Sequence, residues 1–515
     1  MGPNNPATFG LFLGSTVMKK LGHWIAGSVV ESSTDRWGDI YDPATGIVQA
    51  QAPFATLGDI ENVIMSARDA LRQWGSSSLS KRTEVMFEFR HLVNANRDEL
   101  ASIITAEHGK VHSDALGEIS RGLENIEYAC GVASHLKGGF SSQVSSGVDV
   151  HSLRQPVGVV AAITPFNFPV MVPLWMTANA LACGNTMVLK PSEKDPSASL
   201  YLAQLLKQAG LPDGVFNVLH GDGDVVGTLL EHPGIDAVSF VGSTPIARSI
   251  YTRATASGKR AQALGGAKNH MVVLPDADID VAADGAVSAA YGSAGERCMA
   301  VSVVVAVGDA AEPIIDAIAQ RLKVLKIGPG TDPQSEMGPL ITCEHRDKVA
   351  SYVANAASEG ATVVVDGREV TFDGDAANGF FLGASLLDHV TPSMKVYTDE
   401  IFGPVLGVVR VDTYQEAVDL INTNQYGNGV AIFTRDGGAA RQFTLDVTVG
   451  MVGVNVPIPV PIASYSFGGW KDSLFGDTHM YGPAGIEFFT RSKVVTSRWP
   501  DPATSVVDLG FPKTR

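Results

Sequence analysis

From residue 157 onward, short apolar strands alternate with segments of helical periodicity, and this alternation constrains the fold more than any other feature. The segment "SASLYLAQLLKQAG" places its apolar residues at helical spacing and ends on Gly210, which suits the end of a helix. The strand candidates around it are "VGVVAAI" (157–163), "NTMVLK" (185–190), "GVFNVLHG" (214–221) and "DAVSFVGS" (236–243). Continuous apolar strands separated by helices predict a parallel, doubly wound sheet.

A second series of the same kind begins near residue 268. Its strand candidates are "NHMVVLP", "VSVVVAVG", "ATVVVDG" and "GVAIFT", with helices such as "PIIDAIAQRLKVL" between them. A chain of 515 residues is too long for one core, so we predict two α/β domains. Residues 149–158 and 485–499 show strand-like alternation outside either series. They predict either an arm that reaches another subunit or an ordinary edge hairpin.

Composition excludes several classes of protein. The net charge of −16 argues against a nucleic-acid partner, which calls for clustered Lys and Arg. No apolar run reaches the roughly 18 residues of a membrane span. The four cysteines have no C-x-x-C spacing and are too few for a disulfide framework, so we predict no metal site and a cytoplasmic location. Residues 1–17 resemble neither a secretory signal nor a transit peptide and are interpreted as a flexible leader.

Two glycine-containing turns are candidates for binding phosphate. "GDGDVVG" (221–227) approaches the dinucleotide fingerprint, but its last glycine comes one residue late. In "SFVGSTPIA" (239–247), a strand ends near Ser243 and Pro245 suits the first turn of a helix. The N–H groups at that helix N-terminus could bind a pyrophosphate. From these residues alone, a merely capped helix is the favoured interpretation.

Cys298, in "GSAGERCMA", is either a small core residue or a nucleophile. The guanidinium of Arg297 beside it is expected to favour the reactive thiolate. Asn167, at the end of a predicted strand in "ITPFNFP", could supply an amide donor to an oxyanion. These chemical features alone do not rank Cys298 far above Cys343, which also has charged neighbours. The other two thiols, in small-residue settings typical of structural positions, are Cys130 and Cys183.

Seven short motifs occur in the order and rough spacing of the aldehyde dehydrogenase superfamily, which the chain therefore resembles from about residue 19 to residue 499. The motifs are "PFNFP", "LKPSE", "FVGST", "LGG", "GERC", "EIFGPV" and "SFGG". The resemblance implies an NAD-binding domain, a catalytic domain and a small β oligomerisation arm. It assigns the NAD-binding domain to residues 18–140 and 157–263 and the catalytic domain to residues 264–465. The remaining assignment is the arm, residues 141–156 and 485–500.

Matching the motifs residue by residue implies a site. Cys298 takes the place of the family nucleophile and Asn167 that of the oxyanion donor. The positions that correspond to NAD contacts are Thr164, Phe166, Lys190, Glu193, Lys194, Ser243, Gly265, Glu400 and Phe402. Within that set, the carboxylate of Glu193 favours NAD over a cofactor with a 2′-phosphate, although two neighbouring lysines weaken the inference.

One family residue is missing. Hydrolytic members carry a glutamate just before "LGG" that activates the water, and this chain has Ala263 there. A methyl group cannot accept a proton, so a thioester on Cys298 would lack its usual general base. Glu296 could replace that base, but it occupies a position where the family usually has a glutamine. A thiol acceptor such as coenzyme A, with a pKa of roughly 8.5 by analogy with cysteine, needs less assistance than water.

A narrower resemblance agrees with a thiol acceptor. "GGAKNHMVVLPDADID", "GERCMA" and "FFTRSKVVTSRW" are similar to the methylmalonate-semialdehyde dehydrogenase family, which acylates CoA. The resemblance implies oxidation of malonate or methylmalonate semialdehyde to acetyl-CoA or propionyl-CoA with loss of carbon dioxide, as in valine catabolism. It assigns the substrate carboxylate to Arg121 and Arg297, since guanidinium groups bind carboxylates well. From spacing alone, an ion pair of Arg121 with Glu118 or Glu124 is the better interpretation.

The sequence is therefore compatible with three alternative functions. The first is the CoA-acylating dehydrogenase, which the resemblance also implies to be a dimer-based assembly, expected to be a homotetramer. The second is a hydrolytic NAD-dependent aldehyde dehydrogenase that releases a free acid. The third is an inactive scaffold, against which the presence of Cys298, Asn167 and Glu400 argues.

Overall fold

The computed structural model describes residues 18–499, 502–503 and 507. The predicted leader, residues 1–17, and residue 500 of the predicted arm lie outside the described residues. The first part of the chain comprises β1 (Lys19–Lys20), β2 (His23–Ile25), β3 (Ser28–Val30), β4 (Trp37–Asp42), β5 (Ile47–Pro53), α1 (Leu57–Trp74), α2 (Leu79–Ala95), α3 (Arg97–His108), α4 (His112–Cys130), α5 (Val132–His135), β6 (Phe140–Ser145) and β7 (Val148–Pro156).

The first large sheet is formed mainly by the strands predicted after residue 157. The elements there are β8 (Val159–Ile163), α6 (Met171–Ala182), β9 (Thr186–Lys190), α7 (Ser197–Gln208), β10 (Phe216–Val218), α8 (Gly223–Glu231), β11 (Ala237–Val241), α9 (Thr244–Ala256) and β12 (Arg260–Leu264). Strands β12, β11, β8, β9 and β10 are parallel neighbours in that order. Since their side chains are almost all buried, helices cover both faces, as the continuous apolar strands predict.

The second large sheet follows the second predicted series. Its region comprises β13 (Asn269–Val273), α10 (Ile279–Tyr291), β14 (Val301–Val307), α11 (Ala311–Leu322), α12 (Cys343–Glu359), β15 (Thr362–Val365), β16 (Ser385–Asp388), α13 (Lys395–Thr398), β17 (Val405–Val411), α14 (Tyr414–Thr423), β18 (Tyr426–Gly427), β19 (Gly429–Phe433), α15 (Gly437–Asp446) and β20 (Met451–Val454). The strand order is β15-β16-β17-β14-β13-β19-β20, and only the edge strand β15 pairs antiparallel among the described residues. The prediction of two doubly wound α/β units is confirmed.

The last elements return to the first sheet and to a separate antiparallel sheet. They are β21 (Trp470–Lys471), β22 (Leu474–Phe475), α16 (Gly482–Phe488) and β23 (Thr490–Arg498). Strand β22 pairs with β12, and β23 pairs with β7 along its whole length, with β6 on the far side of β7. The predicted strand at 485–499 is wrong for its first residues. They form the helix α16, in which buried Gly482, Gly485 and Ile486 recur at helical spacing, and this helix packs on α6.

Capping side chains fix where many helices begin. Thr56 and Asp59 form a reciprocal capping box at the start of α1, and Asp278 caps α10 with its carboxylate. Pro245 lies in the first turn of α9, as predicted, and Gly210 adopts a positive φ of 83° just after α7. Among helices within residues 18–499, none combines the length and the apolar character needed to cross a bilayer.

Candidate active site

Cys298 lies on a loop between α10 and β14 that is held in an unusual backbone conformation. Before it, Ser293 and Ala294 both have positive φ angles, 54° and 52°. Such strain persists only where surrounding contacts hold the backbone in place. Further along the same loop, Asn269 Nδ2 and Asn428 Nδ2 fix the position of the nucleophile by donating to the Cys298 carbonyl at 2.9 and 3.1 Å.

The environment of the Cys298 thiol differs from the prediction. Burial, and to a smaller extent the carboxylate of Glu400, raise its pKa to about 12. Arg297 lowers the pKa, but less than burial and Glu400 raise it, and its guanidinium is paired with Asp114 at 2.6 Å. Arg297 therefore acts in the predicted direction, but burial and Glu400 outweigh it and the neutral thiol is favoured. Cys298, Arg297, Glu400 and Phe402 line one cavity, which brings four of the predicted residues together.

Asn167 lies on the loop between β8 and α6 and is only 3% exposed. Lys110 Nζ donates to its backbone carbonyl at 2.7 Å. Within the described residues, the side-chain amide of Asn167 forms no hydrogen bond, so it is available to a bound molecule. The Asn167 loop and the Cys298 loop contact the same segment, residues 110–118, through Lys110 and the Arg297–Asp114 pair.

The carboxyl ends of adjacent parallel strands hold several of the predicted nucleotide contacts. Thr164 follows β8, and its buried hydroxyl has no partner among the described residues. Lys190 ends β9 and contacts Glu193 at 3.3 Å. Although burial raises the pKa of Glu193, the charge of Lys190 holds it below its usual value, so the carboxylate stays ionised. Lys194 lies on the same turn, where its backbone N–H donates to the hydroxyl of Ser192.

Helix α9 offers a matching anion site. Ser243 is its N-cap, and the serine side chain makes no capping bond, which leaves the first N–H groups of α9 available. A Cβ on Gly265 would approach the Thr244 hydroxyl to 2.8 Å and the Asp472 carbonyl to 2.7 Å, so only glycine fits there. A free hydroxyl, open N–H groups and an ionised acid at one sheet edge could hold a dinucleotide.

Glu400 and Phe402 complete the cavity from the second domain. Burial raises the pKa of Glu400 to about 7, and the carboxylate accepts the Ala267 N–H at 2.9 Å. Phe402 has a φ of 59°, and its carbonyl accepts a hydrogen bond from His345 Nε2 at 2.7 Å. The ring of Phe166, another predicted contact, packs edge-on against Phe402.

Arg121 lies on α4, and its guanidinium is already engaged. It pairs with Glu124 at 2.9 Å and donates to the Val460 carbonyl at 3.0 Å. The ion-pair alternative is thus correct for Glu124, whereas Glu118 pairs with Lys110 instead. The side chain of Arg121 is 34% exposed and that of Arg297 is 19% exposed.

Comparison with known proteins places this geometry in a family. The model of the aldehyde dehydrogenase family matches residues 29–495. The chain belongs to the aldehyde dehydrogenase family. A malonate-semialdehyde dehydrogenase of Pseudomonas aeruginosa is 52% identical over 488 residues, which cover 95% of this chain and 98% of the relative.

Two solved aldehyde dehydrogenases share the fold closely. A methylmalonate-semialdehyde dehydrogenase from Oceanimonas doudoroffii is 54% identical with a TM-score of 0.93, covering 94% of this chain and 99% of its own. A protein from Sinorhizobium meliloti, named as a methylmalonate-semialdehyde dehydrogenase and solved with NAD, is 49% identical with a TM-score of 0.94. That match covers 95% of this chain and all of the other, 100%.

The aldehyde dehydrogenase site of this chain has no carboxylate at position 263. The Ala263 methyl is fully buried and packs in an apolar cluster with Phe240. Glu296, the proposed substitute, is not among the residues that line the Cys298 cavity. Its buried carboxyl lies 3.8 Å from His108 Nε2 and accepts the Ile341 N–H at 3.2 Å. Burial raises its pKa well above the usual value, which favours the neutral acid.

Several residues that hold the site together were missed by sequence reasoning. Asn269 and Asn428 anchor the nucleophile loop, and Lys110 anchors the Asn167 loop. Asn269 lies in the quoted segment "GGAKNHMVV", which was the one available signal. The others belong to no quoted motif and meet the site only through long-range folding. The four cysteines carry free thiols, and Cys130 and Cys183 are buried, as predicted.

Proposed function

We propose that this protein is an NAD-dependent, CoA-acylating dehydrogenase of malonate and methylmalonate semialdehydes. The observation that carries the proposal is the buried methyl group at position 263 in a chain that has the nucleophile Cys298 in a cavity. An acyl group on Cys298 can form, but no side chain at position 263 can activate water to release it. The similarity to semialdehyde dehydrogenases from three bacteria supports this choice of substrate and acceptor.

NAD fits the cleft at the edge of the first sheet. Ser243 and the N-terminus of α9 would hold the pyrophosphate, and Lys190 and Glu193 would hold the adenosine ribose. The other residues proposed to contact NAD are Thr164, Phe166, Lys194, Gly265, Glu400 and Phe402. When bound, NAD supplies the acceptor for the hydride that leaves the substrate. The ionised carboxylate of Glu193 disfavours a 2′-phosphate by charge repulsion.

Cys298 and Asn167 carry the proposed carbon chemistry. The thiol of Cys298 gives its proton to solvent and adds as the thiolate to the aldehyde carbon, so that a C–S bond forms and the carbonyl oxygen becomes an oxyanion. The Asn167 amide, which has no partner among the described residues, and the Cys298 backbone N–H donate to that oxygen. After oxidation, the acyl group remains on Cys298 as a thioester.

Arg121 and Arg297 are proposed to hold the carboxylate of the substrate. Each is paired with one acidic side chain, Glu124 or Asp114, and this pairing fixes the guanidinium in place. A guanidinium has further N–H donors for a second carboxylate. The β-carboxylate then leaves as carbon dioxide, and the carbon that it leaves takes up a proton from solvent. The thiolate of CoA attacks the thioester carbonyl, the bond to Cys298 breaks, and Cys298 departs as a thiolate.

The domain roles and the assembly are part of the same proposal. Residues 18–140 and 157–263 form the NAD-binding domain, and residues 264–465 form the catalytic domain. Residues 141–156 and 485–500 form an arm that joins subunits, with a homotetramer as the expected assembly. The three-stranded sheet of β6, β7 and β23 supports an arm because Phe140, Leu153 and Val494 are exposed on it. We further propose a cytoplasmic location and a role in valine catabolism.

Product analysis tests the proposed function. Malonate semialdehyde, NAD and the protein are combined with and without CoA, and the products are separated by chromatography. We expect acetyl-CoA and carbon dioxide in the presence of CoA and no free acid in its absence. Steady release of a free acid without CoA would establish the hydrolytic alternative instead. Cys298→Ser should abolish both products, whereas Cys343→Ser, the matched thiol control, should change neither.

A further inference from the structure

A fully buried ion pair lies beside the proposed oxyanion donor and has no role in the chemistry described above. Lys110 precedes α4, Glu118 lies in its second turn, and their charged groups are 2.8 Å apart. Neither side chain has any solvent exposure. A buried ion pair contributes little net stability compared with apolar residues of similar volume, so its presence calls for another explanation.

The pair binds both ends of the loop that carries Asn167. Lys110 Nζ donates to the carbonyl of Asn167 at 2.7 Å. On the other side, Glu118 Oε1 accepts the N–H groups of Val170 and Met171 at 2.7 and 3.0 Å. One ion pair therefore fixes the backbone immediately before and after the turn into α6.

The hydrogen bonds to Glu118 satisfy N–H groups at the N-terminus of α6. Val170 is the N-cap of this helix, and its apolar side chain cannot bond the free N–H groups of the first turn. Glu118 performs that function from a different helix, and a carboxylate is favourable at a helix N-terminus. Lys110 balances the buried charge, and its ammonium also lies 4.4 Å from the centre of the Phe168 ring.

We propose that Lys110 and Glu118 are positioning residues that hold the Asn167 amide where the oxyanion forms. The inference rests on the oxyanion role of Asn167 in the proposed function. The same segment also fixes the nucleophile loop, since Asp114 binds Arg297 at 2.6 Å. The start of α4 thus sets the position of the amide donor relative to the Cys298 loop, although neither Lys110 nor Glu118 touches the substrate.

A double-mutant cycle tests this inference. The rate of the first turnover of NADH is measured for the full-length protein, Asn167→Ala, Lys110→Met and the variant with both changes. Asn167→Ala should slow acylation by about 10²–10³-fold, as expected for a lost oxyanion donor. Lys110→Met should slow it by about 10²-fold through displacement of the amide. The combined variant should be no slower than Asn167→Ala alone, because Lys110 acts only through Asn167.

The control and the companion variant separate positioning from general damage. Lys259 is a similarly buried lysine that donates to two backbone carbonyls, of His232 and Ile235, at the edge of the first domain. Lys259→Met should leave the first turnover unchanged. If Lys110→Met does not fold, Lys110→Met with Glu118→Gln, which removes both charges, takes its place in the cycle.

The outcomes distinguish the positioning role of Lys110 from the oxyanion role of Asn167. Rate losses that multiply in the combined variant would overturn the positioning role while leaving the oxyanion role intact. A first turnover of normal rate in Asn167→Ala would instead overturn the oxyanion role itself. A first turnover of normal rate in folded Lys110→Met, with Asn167→Ala slow, would overturn the positioning role alone.

Discussion

The Cys298 thiol is surrounded by groups that oppose its ionisation. Burial and the carboxylate of Glu400 raise its pKa to about 12, and Arg297 is committed to Asp114. Ordinary cysteines titrate near about 8.5, and many reactive ones titrate lower. The reactivity proposed for Cys298 therefore arises from the fixed loop and its position in the cavity, and not from a thiolate that exists before substrate binds.

Alkylation of Cys298 should report this raised pKa directly. Because only the thiolate reacts, the alkylation rate should rise about tenfold per pH unit from neutral pH upward without a plateau below pH 10. The measurement is iodoacetamide labelling of the free protein, followed by mass spectrometry of the Cys298 peptide. Cys343→Ser serves as the background, since Cys343 is the other partly exposed thiol. A plateau near neutral pH would contradict this account of the site.

Substitution of Glu296 separates a structural acid from a general base. A neutral carboxyl is replaced well by an amide, so Glu296→Gln should keep CoA-dependent NADH formation close to the normal rate. Glu296→Leu should destabilise the fold by about 1–3 kcal/mol, because the Ile341 N–H loses its acceptor. Activity assays and urea unfolding measure the two effects. An inactive but stable Glu296→Gln would favour Glu296 as the base.

The same variant has a distinct dependence of stability on pH. A carboxyl whose pKa is raised on folding favours the folded protein at low pH. This contribution to the free energy of unfolding is lost as the pH rises above the pKa that the carboxyl has in the unfolded chain. Because glutamine does not titrate, Glu296→Gln does not lose stability in this way as the pH rises. The free energy of unfolding of Glu296→Gln relative to the unsubstituted protein should therefore increase from about pH 4.5 upward. A difference that is constant with pH would show that Glu296 is ionised in the folded protein.

Substitution of Arg121 should lower kcat/KM for substrates that carry a carboxylate and leave kcat/KM for substrates without one nearly unchanged. A hydrogen bond to a charged group is worth about 1.5–3 kcal/mol, so Arg121→Met should lower kcat/KM for malonate semialdehyde by about 10–100-fold. Propanal lacks the carboxylate and should be oxidised with nearly unchanged kcat/KM. Equal losses for both aldehydes would indicate that Arg121 only supports the fold, through Glu124 and the Val460 carbonyl.

Among the secondary-structure elements, the parallel strands explain why distant motifs meet. Strands β8, β9 and β11 are parallel, so their carboxyl ends lie at one edge of the sheet. Lys190 is the last residue of β9, and Thr164 and Ser243 follow β8 and β11 within two residues. The resemblance of the motifs assigned these residues to the candidate site, and the parallel strands explain why positions so far apart in sequence share one edge.

The arm sheet should mediate assembly if its exposed apolar side chains pack against another subunit. Val494 on β23 is 66% exposed, and a charge there would have to be desolvated in the interface. Val494→Asp should therefore convert the proposed tetramer into smaller species, measured by size-exclusion chromatography with light scattering. Leu445→Asp on α15, where the side chain is 73% exposed, is the matched control and should not change the mass. An unchanged mass for both variants would argue against the arm.

Taken together, the long-range contacts mark the limit of prediction from the sequence. The two large sheets follow from local apolar patterns, but the two-residue strand β22 has no periodicity that could reveal its pairing with β12. Lys110 and Glu118 are eight residues apart, and nothing local shows that Asn167, much later in the chain, lies between them and α6. The pairing of Arg297 with Asp114 likewise depends on the packing of α4 against the nucleophile loop.

The central claim is that the acyl group stays on Cys298 as a thioester until a thiol accepts it. The most direct measurement is NADH formation from malonate semialdehyde and NAD in the absence of CoA, at a known concentration of active sites. The account predicts one NADH per active site, an acyl group on the Cys298 peptide by mass spectrometry, and resumed turnover on addition of CoA. Continuous NADH formation without CoA, with Cys298 unmodified, would contradict it.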